Sequence, residues 1–385
     1  MIERNISKKV LYYAKKYPVV TITGPRQSGK TTLCKMLFPH KSYVSLESIE
    51  EREFAKNDPK GFLSNYPNGA VIDEIQRVPD LLSYIQVAVD ANRQNGNFII
   101  TGSQNFEIMN TVSQSLAGRT AIVRLLPLTI DEVFKLRKNI ELDEFIYTGS
   151  YPGIYNEHLN PTEAISFYVT TYIERDLRQL LNVKDLSRFN TFLKLCAGRT
   201  GQILNFSSLA NDCGINHNTA KNWLSILEAS YIVKLLKPYY RNFNKRLIKA
   251  PKLYFMDTGL ASFLLGIQNR DHLSVHPLKG ALFETLVYSE ILKRRFNRGE
   301  TDNLYYFRDS KGNEVDILLD FGDKIDQIEV KSAQTIVKDF FNGLSFFKKL
   351  NSDVRNSYII YGGDASRRQQ DTEIVSWKDM HLLHN

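Results

Sequence analysis

The chain has 385 residues, of which 43% are apolar and 24% charged, values that fit a soluble globular protein of two or three domains. No apolar run approaches the roughly 20 residues that cross a bilayer, and the N-terminus MIERNISKKV lacks a secretory core, so a cytoplasmic protein without a membrane segment is expected. The formal charge of +8 permits attraction to nucleic acid without demonstrating it, and three scattered cysteines (Cys34, Cys196, Cys213) supply neither a disulfide frame nor a metal knuckle.

The first 130 residues alternate short apolar runs with helical stretches, as a parallel α/β sheet requires. Strands are expected at 19–23, 42–46, 70–72, 97–101 and 121–125. The first ends in Gly24-Pro25-Arg26-Gln27-Ser28-Gly29-Lys30-Thr31-Thr32, a phosphate-binding loop followed by a helix. Gly24 and Gly29 let the loop wrap so that backbone N–H groups face an anion, and the helix aims its positive end at the same place. Lys30 would reach the β- and γ-phosphates, and the Thr31 hydroxyl would ligate Mg²⁺. Arg26 could contact phosphate or pair with an acid elsewhere; the sequence does not choose.

Ala70-Val71-Ile72-Asp73-Glu74 is an apolar strand delivering two acids. Asp73 suits the Mg²⁺ shell, and Glu74 suits a general base that polarises the attacking water. Thr101-Gly102-Ser103-Gln104 ends the next strand, where Ser103, or else Gln104, could sense the γ-phosphate. Arg119 fits either an arginine finger for a neighbouring subunit's nucleotide or a surface arginine. ATP with Mg²⁺ is the expected cofactor pair.

From 128 to 195 the periodicity turns helical, with Phe167, Thr171, Leu177 and Leu181 near one face. A helix over 206–210 capped by Ser207, a turn at 213–215, and a second helix capped by Asn216 follow. Leu209, Ala210, Ile215, Ala220, Leu224 and Leu227 have core spacing, and His217, Asn218, Lys221 and Asn222 would face outward on a recognition helix. Between Lys234 and Lys252 there are seven Lys/Arg and no acid, including Lys237, Arg241, Lys245, Arg246 and Lys249 beside Tyr239, Tyr240 and Phe243. Such a ribbon can neutralise phosphates, or it can be a solvated face; DNA is the favoured nucleic acid.

The stretch 280–295 is an amphipathic helix carrying Glu284, followed by strand-like runs around 305–307, 315–319 and 327–330. Alternation puts Glu329 and Lys331 on one strand face, with Asp316 on the strand before. This set resembles the restriction-endonuclease fold. The resemblance implies that Asp316 and Glu329 bind Mg²⁺, Lys331 assists a water, and Glu284 supports the metal. A binding role, or a structural salt bridge between Glu329 and Lys331, uses the same residues. Lys293-Arg294-Arg295 and Arg298 would favour a nucleic-acid phosphate.

The loop, Asp73-Glu74-Ile75-Gln76-Arg77-Val78-Pro79, Thr101-Gly102-Ser103 and Ser115-Leu116-Ala117-Gly118-Arg119 resemble the AAA-type ATPases of bacteria and archaea with a C-terminal domain of unknown function. Gly149-Ser150-Tyr151-Pro152-Gly153, Tyr172-Ile173-Glu174-Arg175-Asp176, Tyr254-Phe255-Met256-Asp257-Thr258-Gly259 and Glu329-Val330-Lys331 match in order too. The resemblance spans nearly the whole chain. It implies an α/β protein with a P-loop ATPase core (1–130), a helical lid (131–195), a winged helix-turn-helix (196–260) and a nuclease-like α/β domain (261–385). Two functions remain open: an ATPase acting on nucleic acid with a Mg²⁺-dependent C-terminal nuclease, or a nucleotide-gated regulatory protein that binds a partner without cutting. A homo-oligomer through Arg119 is compatible with both.

Overall fold

The computed structural model describes residues 2–103, 115–177, 185–239 and 250–383, without the side chains of Ser103 and of 175–177. Strands β1 (Val19–Gly24), β2 (Ser42–Ser45), β3 (Ala70–Asp73), β4 (Phe98–Ser103) and β5 (Thr120–Arg124) form a parallel sheet in the order β2-β3-β4-β1-β5. All five were expected, with ends displaced by one or two residues. Residues of alternate sides pack separate layers. Val71 and Ile99 join Val10 and Leu33 of the helices Ser7–Ala14 and Lys30–Leu37, while Ile72 and Ile100 join Leu82 and Ile85 of the helix Leu81–Ala91. Helices on both faces explain why β1 and β3 are buried at every position rather than alternating. The order also inserts β4 between β1 and β3, so three strand ends converge where the loop begins.

Helices Ile130–Leu136, Leu142–Thr148, Pro152–Asn156 and Pro161–Tyr168 follow, the last continuing as π-helical turns over Val169–Leu177. Gly149 stops the second of these with φ +73°; a Cβ there would lie 2.4 Å from the Asp257 carboxylate. The face grouped by periodicity is the solvent face at its described positions: Phe167 is 68% exposed and Thr171 is exposed too. Burial instead falls on Ile165, Tyr168, Val169, Tyr172 and Ile173, where the Tyr168 ring packs against Tyr151 at 4.8 Å and Tyr172 at 5.3 Å. Leu181 lies outside the described residues.

The helix pair is Phe206–Asp212 and His217–Ala229. The first is capped by Asn205, which accepts from the Ser208 amide at 3.0 Å, rather than by Ser207; Asn205 already has extended backbone, and Ser207 lies inside the helix. Asn216 caps the second as expected, accepting from the Thr219 amide at 2.8 Å. Leu209, Ala210, Ala220, Leu224 and Leu227 are buried, with Ile215 packed beside them. Strands β6 (Gln202–Ile203), β7 (Val233–Leu236) and β8 (Lys252–Phe255) make an antiparallel sheet with β8 in the middle.

The last sheet runs β13-β14-β12-β11-β10-β9, from β9 (Leu304–Arg308), β10 (Glu314–Asp320), β11 (Ile325–Lys331), β12 (Val354–Tyr361), β13 (Arg367–Gln369) and β14 (Thr372–Ser376). Strands β9 to β11 are an antiparallel meander, and β11, β12 and β14 are parallel. The helix before it, Lys279–Asn297, is not amphipathic: thirteen of its nineteen residues are buried. It packs against β5, β8, β11 and the helix Thr258–Leu264, so nearly every side meets protein. Its basic cluster is consequently internal. Lys293 donates to Leu128 O and Ser150 Oγ, Arg294 pairs with Asp131 and Glu290, and Arg295 donates to Thr301 O, so these residues do not present a phosphate surface. Among the described residues no helix is long and apolar enough to cross a membrane.

Candidate functional site

The loop leaves β1 at Gly24, where φ is +154° and a Cβ would strike Leu125 O at 2.0 Å. Gln27 (φ 61°) and Gly29 (φ 90°) supply the left-handed turns that bring the chain round to the helix at Lys30. Thr32 lies in that helix's first turn. The Lys30 ammonium folds back on the loop, donating to Gly24 O at 3.1 Å and Pro25 O at 2.9 Å. Burial pulls its pKa below the ordinary lysine range, with Glu74 and Asp73 opposing. Arg26 leaves the loop and lies 5.2 Å over the Tyr172 ring, linking the loop to the π-helical segment.

Asp73 is the hub. It is buried, and its Oδ2 accepts from Thr31 Oγ1 at 2.7 Å and from the Tyr43 hydroxyl at 2.7 Å; its Oδ1 accepts from Thr101 Oγ1. Glu74 follows in a left-handed conformation, φ 59° and ψ 47°, with its amide 3.4 Å from Thr101 Oγ1 and its carboxylate bonded to Gln76. Such a backbone costs a non-glycine residue about 1–3 kcal/mol and turns Glu74 out of the strand direction. The donor set fits a polyphosphate with Mg²⁺: the buried Ser28 Oγ lacks a hydrogen-bond partner among the described residues. The Thr31 hydroxyl and Asp73 carboxylate meet as one hard-oxygen pair, which suits Mg²⁺.

Arg119 stands apart. Its carbonyl accepts from Val19 N at the start of β1, a strand length of roughly 17 Å from Gly24, and its guanidinium grips Asp90 in two bonds of 2.6 and 2.7 Å. Gln104 lies outside the described residues.

A second cluster forms where β8, β10, β11 and the Lys279–Asn297 helix meet. A cavity of about 580 Å³ is lined by Glu284, Asp316, Glu329 and Lys331, with Lys252, Arg308 and Glu314. The four acidic and basic residues singled out by spacing are therefore brought together. Lys331 Nζ lies 2.7 Å from Glu329 Oε1, while Glu329 Oε2 is buried without a hydrogen-bond partner among the described residues. Burial, then Asp316, pushes Glu329 up to about 8; burial, against Lys252, pushes Glu284 up to about 7. Lys252 was read as part of the basic ribbon, yet it is buried here. Its ammonium lies 2.6 Å from Glu314, 2.9 Å from Glu284 and 3.5 Å from Asp316.

Comparison with known proteins agrees with the nucleotide-site geometry. The AAA domain model matches residues 16–134, and two domains of unknown function, DUF8612 and DUF4143, match 139–271 and 279–380. The uncharacterized proteins Rv2008c of Mycobacterium tuberculosis and Mb2031c of Mycobacterium bovis are 31% identical over 323 residues, 83% of this chain and 71% of theirs. The chain belongs to this family of AAA-type ATPases. Looser structural likenesses include the Walker-type ATPase of Pyrococcus abyssi (14% identity, 69% of this chain and 96% of that one, TM-score 0.42). RuvB of Thermotoga maritima is another (19% identity, 60% and 89%, TM-score 0.32).

Around the phosphate loop, sequence reasoning missed three contacts: Tyr43 and Thr101 on Asp73, and Arg4 beneath the loop, donating to Ser28 O at 2.8 Å. Thr101 was visible as the last β-branched residue of its strand; Tyr43 and Arg4 carry no local signal. After the AAA domain, His217, Asn218, Lys221 and Asn222 are all exposed. His217, Asn218 and Asn222 line a shallow concavity of about 550 Å³ with Asn216 and Thr219 at the start of their helix. Arg241, Lys245 and Arg246, with Tyr240, Phe243 and Lys249, lie outside the described residues. Of the ribbon's ends, Lys234 pairs with Glu228 at 3.0 Å and Asp302 at 3.1 Å.

Proposed function

We propose that this chain is an ATP-hydrolysing, Mg²⁺-dependent AAA-type machine of the cytoplasm that acts on nucleic acid, DNA foremost. The contact of Thr31 with Asp73, beside the outward-turned Glu74, carries the hydrolytic part. Lys30 and the loop amides would bind the β- and γ-phosphates, Thr31 and Asp73 would hold Mg²⁺, and Glu74 would take a proton from the attacking water. Mg²⁺ supplies charge neutralisation on the phosphate oxygens. Ser103 would sense the γ-phosphate, and Arg119 would complete a neighbouring copy's site in a homo-oligomer.

The nucleic-acid part rests on the exposed start of the His217–Ala229 helix and on the basic composition of the stretch 234–252 that follows it in the sequence. The helix pair with β6–β8 is consistent with a winged helix spanning 196–260, between a lid at 131–195 and a nuclease-like domain at 261–385. Anisotropy with a labelled DNA duplex tests this: binding at low salt is expected, with Lys221→Ala lowering the slope of log affinity against log salt by about 1. Absence of binding to duplex or single strands at low salt would overturn it.

One observation favours a second reading, in which the C-terminal domain recognises a partner without cleavage: the Lys252 ammonium among the acids of the cavity. Plasmid nicking with Mg²⁺ or Mn²⁺, lost in the Asp316→Ala, Lys331→Ala double variant, would decide for the nuclease.

A further inference from the structure

The residues around Asp316 resemble the set with which the restriction-endonuclease fold holds a divalent metal. The geometry points elsewhere: we infer that Lys252 is the resident cation of this cavity, and that with β8 seated the cavity excludes divalent metal. This goes beyond the proposed function and does not depend on ATP turnover or on nucleic-acid binding.

Every carboxylate here already has a cationic or hydrogen-bonding partner. Glu284 Oε1 accepts from Lys252 at 2.9 Å and from the Tyr254 hydroxyl. Glu314 faces Lys252 at 2.6 Å through one oxygen and Arg308 at 3.1 Å through the other. Asp316 uses Oδ2 on the Val330 amide at 2.9 Å and Oδ1 towards Lys252 at 3.5 Å. Glu329 pairs with Lys331 at 2.7 Å through Oε1, its Oε2 being buried without a hydrogen-bond partner among the described residues. Four acids are thus met by three bases. A divalent ion added to that set would compete for oxygens the ammonium already holds. Mg²⁺ also demands near-octahedral oxygens at about 2.0–2.1 Å. Among the described residues no group of three or more acidic, histidine or cysteine side chains is placed to hold a metal ion.

Lys252 cannot easily be elsewhere. It begins β8, whose four residues are all buried between β6 and β7, and its ammonium reaches across to β10 and to the Lys279–Asn297 helix. Removing one partner of such a buried set leaves the others uncompensated. The lysine, at the end of the basic ribbon, therefore fastens β8 to the C-terminal sheet and its preceding helix through Glu314, Glu284 and Asp316, the last being an acid that a nuclease would give to metal.

The test measures Mn²⁺ binding to the full chain by the loss of the free-ion electron paramagnetic resonance signal. Asp316→Asn serves as the reporter of this cavity, because Mn²⁺ taken up at the nucleotide site does not depend on it. The wild type should bind the same amount of Mn²⁺ with or without Asp316→Asn. Lys252→Met should gain a site at least about tenfold tighter than anything the wild type shows there, lost again when Asp316→Asn is added. Mn²⁺ should also raise the melting temperature of Lys252→Met by more than it raises that of the wild type or of Lys252→Arg, because only the methionine variant gains a second site. Asp316-dependent Mn²⁺ binding in the wild type would overturn the inference, and so would failure of a folded Lys252→Met to gain a site. If Lys252→Met does not fold, the wild-type comparison with Asp316→Asn decides alone.

Discussion

Replacing Glu74 by glutamine should leave ATP binding in place and lower ATP turnover by about 10²–10⁴-fold, the usual contribution of a positioned general base. The substitution keeps the size and hydrogen-bonding reach of the side chain and removes only its basicity. Its neighbour makes the necessary contrast. Asp73 accepts three side-chain hydroxyls, from Thr31, Tyr43 and Thr101, so Asp73→Asn should disturb the proposed Mg²⁺ position as well as the packing of two strand ends. Nucleotide binding should therefore weaken in Asp73→Asn and stay near the wild-type value in Glu74→Gln. Single-turnover phosphate release, together with equilibrium binding of a fluorescent ATP analogue, separates the two. Turnover of Glu74→Gln within a few-fold of wild type would remove Glu74 from the catalytic role, and the two neighbours of its backbone turn, Thr101 and Gln76, would have to be examined in its place.

Much of this site was legible because its chemistry is local. Eight consecutive residues build the phosphate loop, and an apolar run ending in Asp73-Glu74 marks the strand beside it. The strand order was not legible, since nothing in 97–103 says that β4 pairs with both β1 and β3; pairing is a non-local outcome of burial. The Lys279–Asn297 helix shows a similar failure. Its mixed polar and apolar sequence reads as a surface helix, but Thr285, Glu290 and Lys293 are buried because other segments bring them partners, and Ser289 is buried with its hydroxyl on Leu286 O of the same helix. Lys252 is the sharpest instance. Six other basic residues precede it from 234 onward, and its difference from them lies wholly in Glu284, Glu314 and Asp316, which are 32 to 64 positions away.

Arg4 has the largest expected effect on stability, and it is invisible in the sequence for the same reason. Its guanidinium donates to Ser28 O at 2.8 Å and Leu126 O at 2.7 Å, and its Nε lies 3.2 Å from the Glu132 carboxylate. Arg4 is 6% exposed and Glu132 fully buried. Glu132 is held in place by the amides of Asn5 and Thr129, so it cannot swing out to water when its partner is lost. Arg4→Met keeps the apolar stem and leaves a buried carboxylate uncompensated, which costs about 3–5 kcal/mol. For a domain of this size that corresponds to a fall in melting temperature on the order of 10 °C. Adding Glu132→Gln should recover a sizeable part, because the amide can still accept from both backbone N–H groups without a charge to compensate. ATP affinity should fall in Arg4→Met as well, since the Ser28 carbonyl loses the donor that fixes the turn of the loop. Lys30→Ala supplies the comparison: it removes the proposed phosphate contact and should weaken ATP binding, while the melting temperature should fall less than in Arg4→Met because the Lys30 ammonium meets two loop carbonyls rather than a fully buried carboxylate. A melting temperature of Arg4→Met within a degree or two of wild type would show that the loop keeps its shape without this arginine, and that the N-terminal segment merely lies against it.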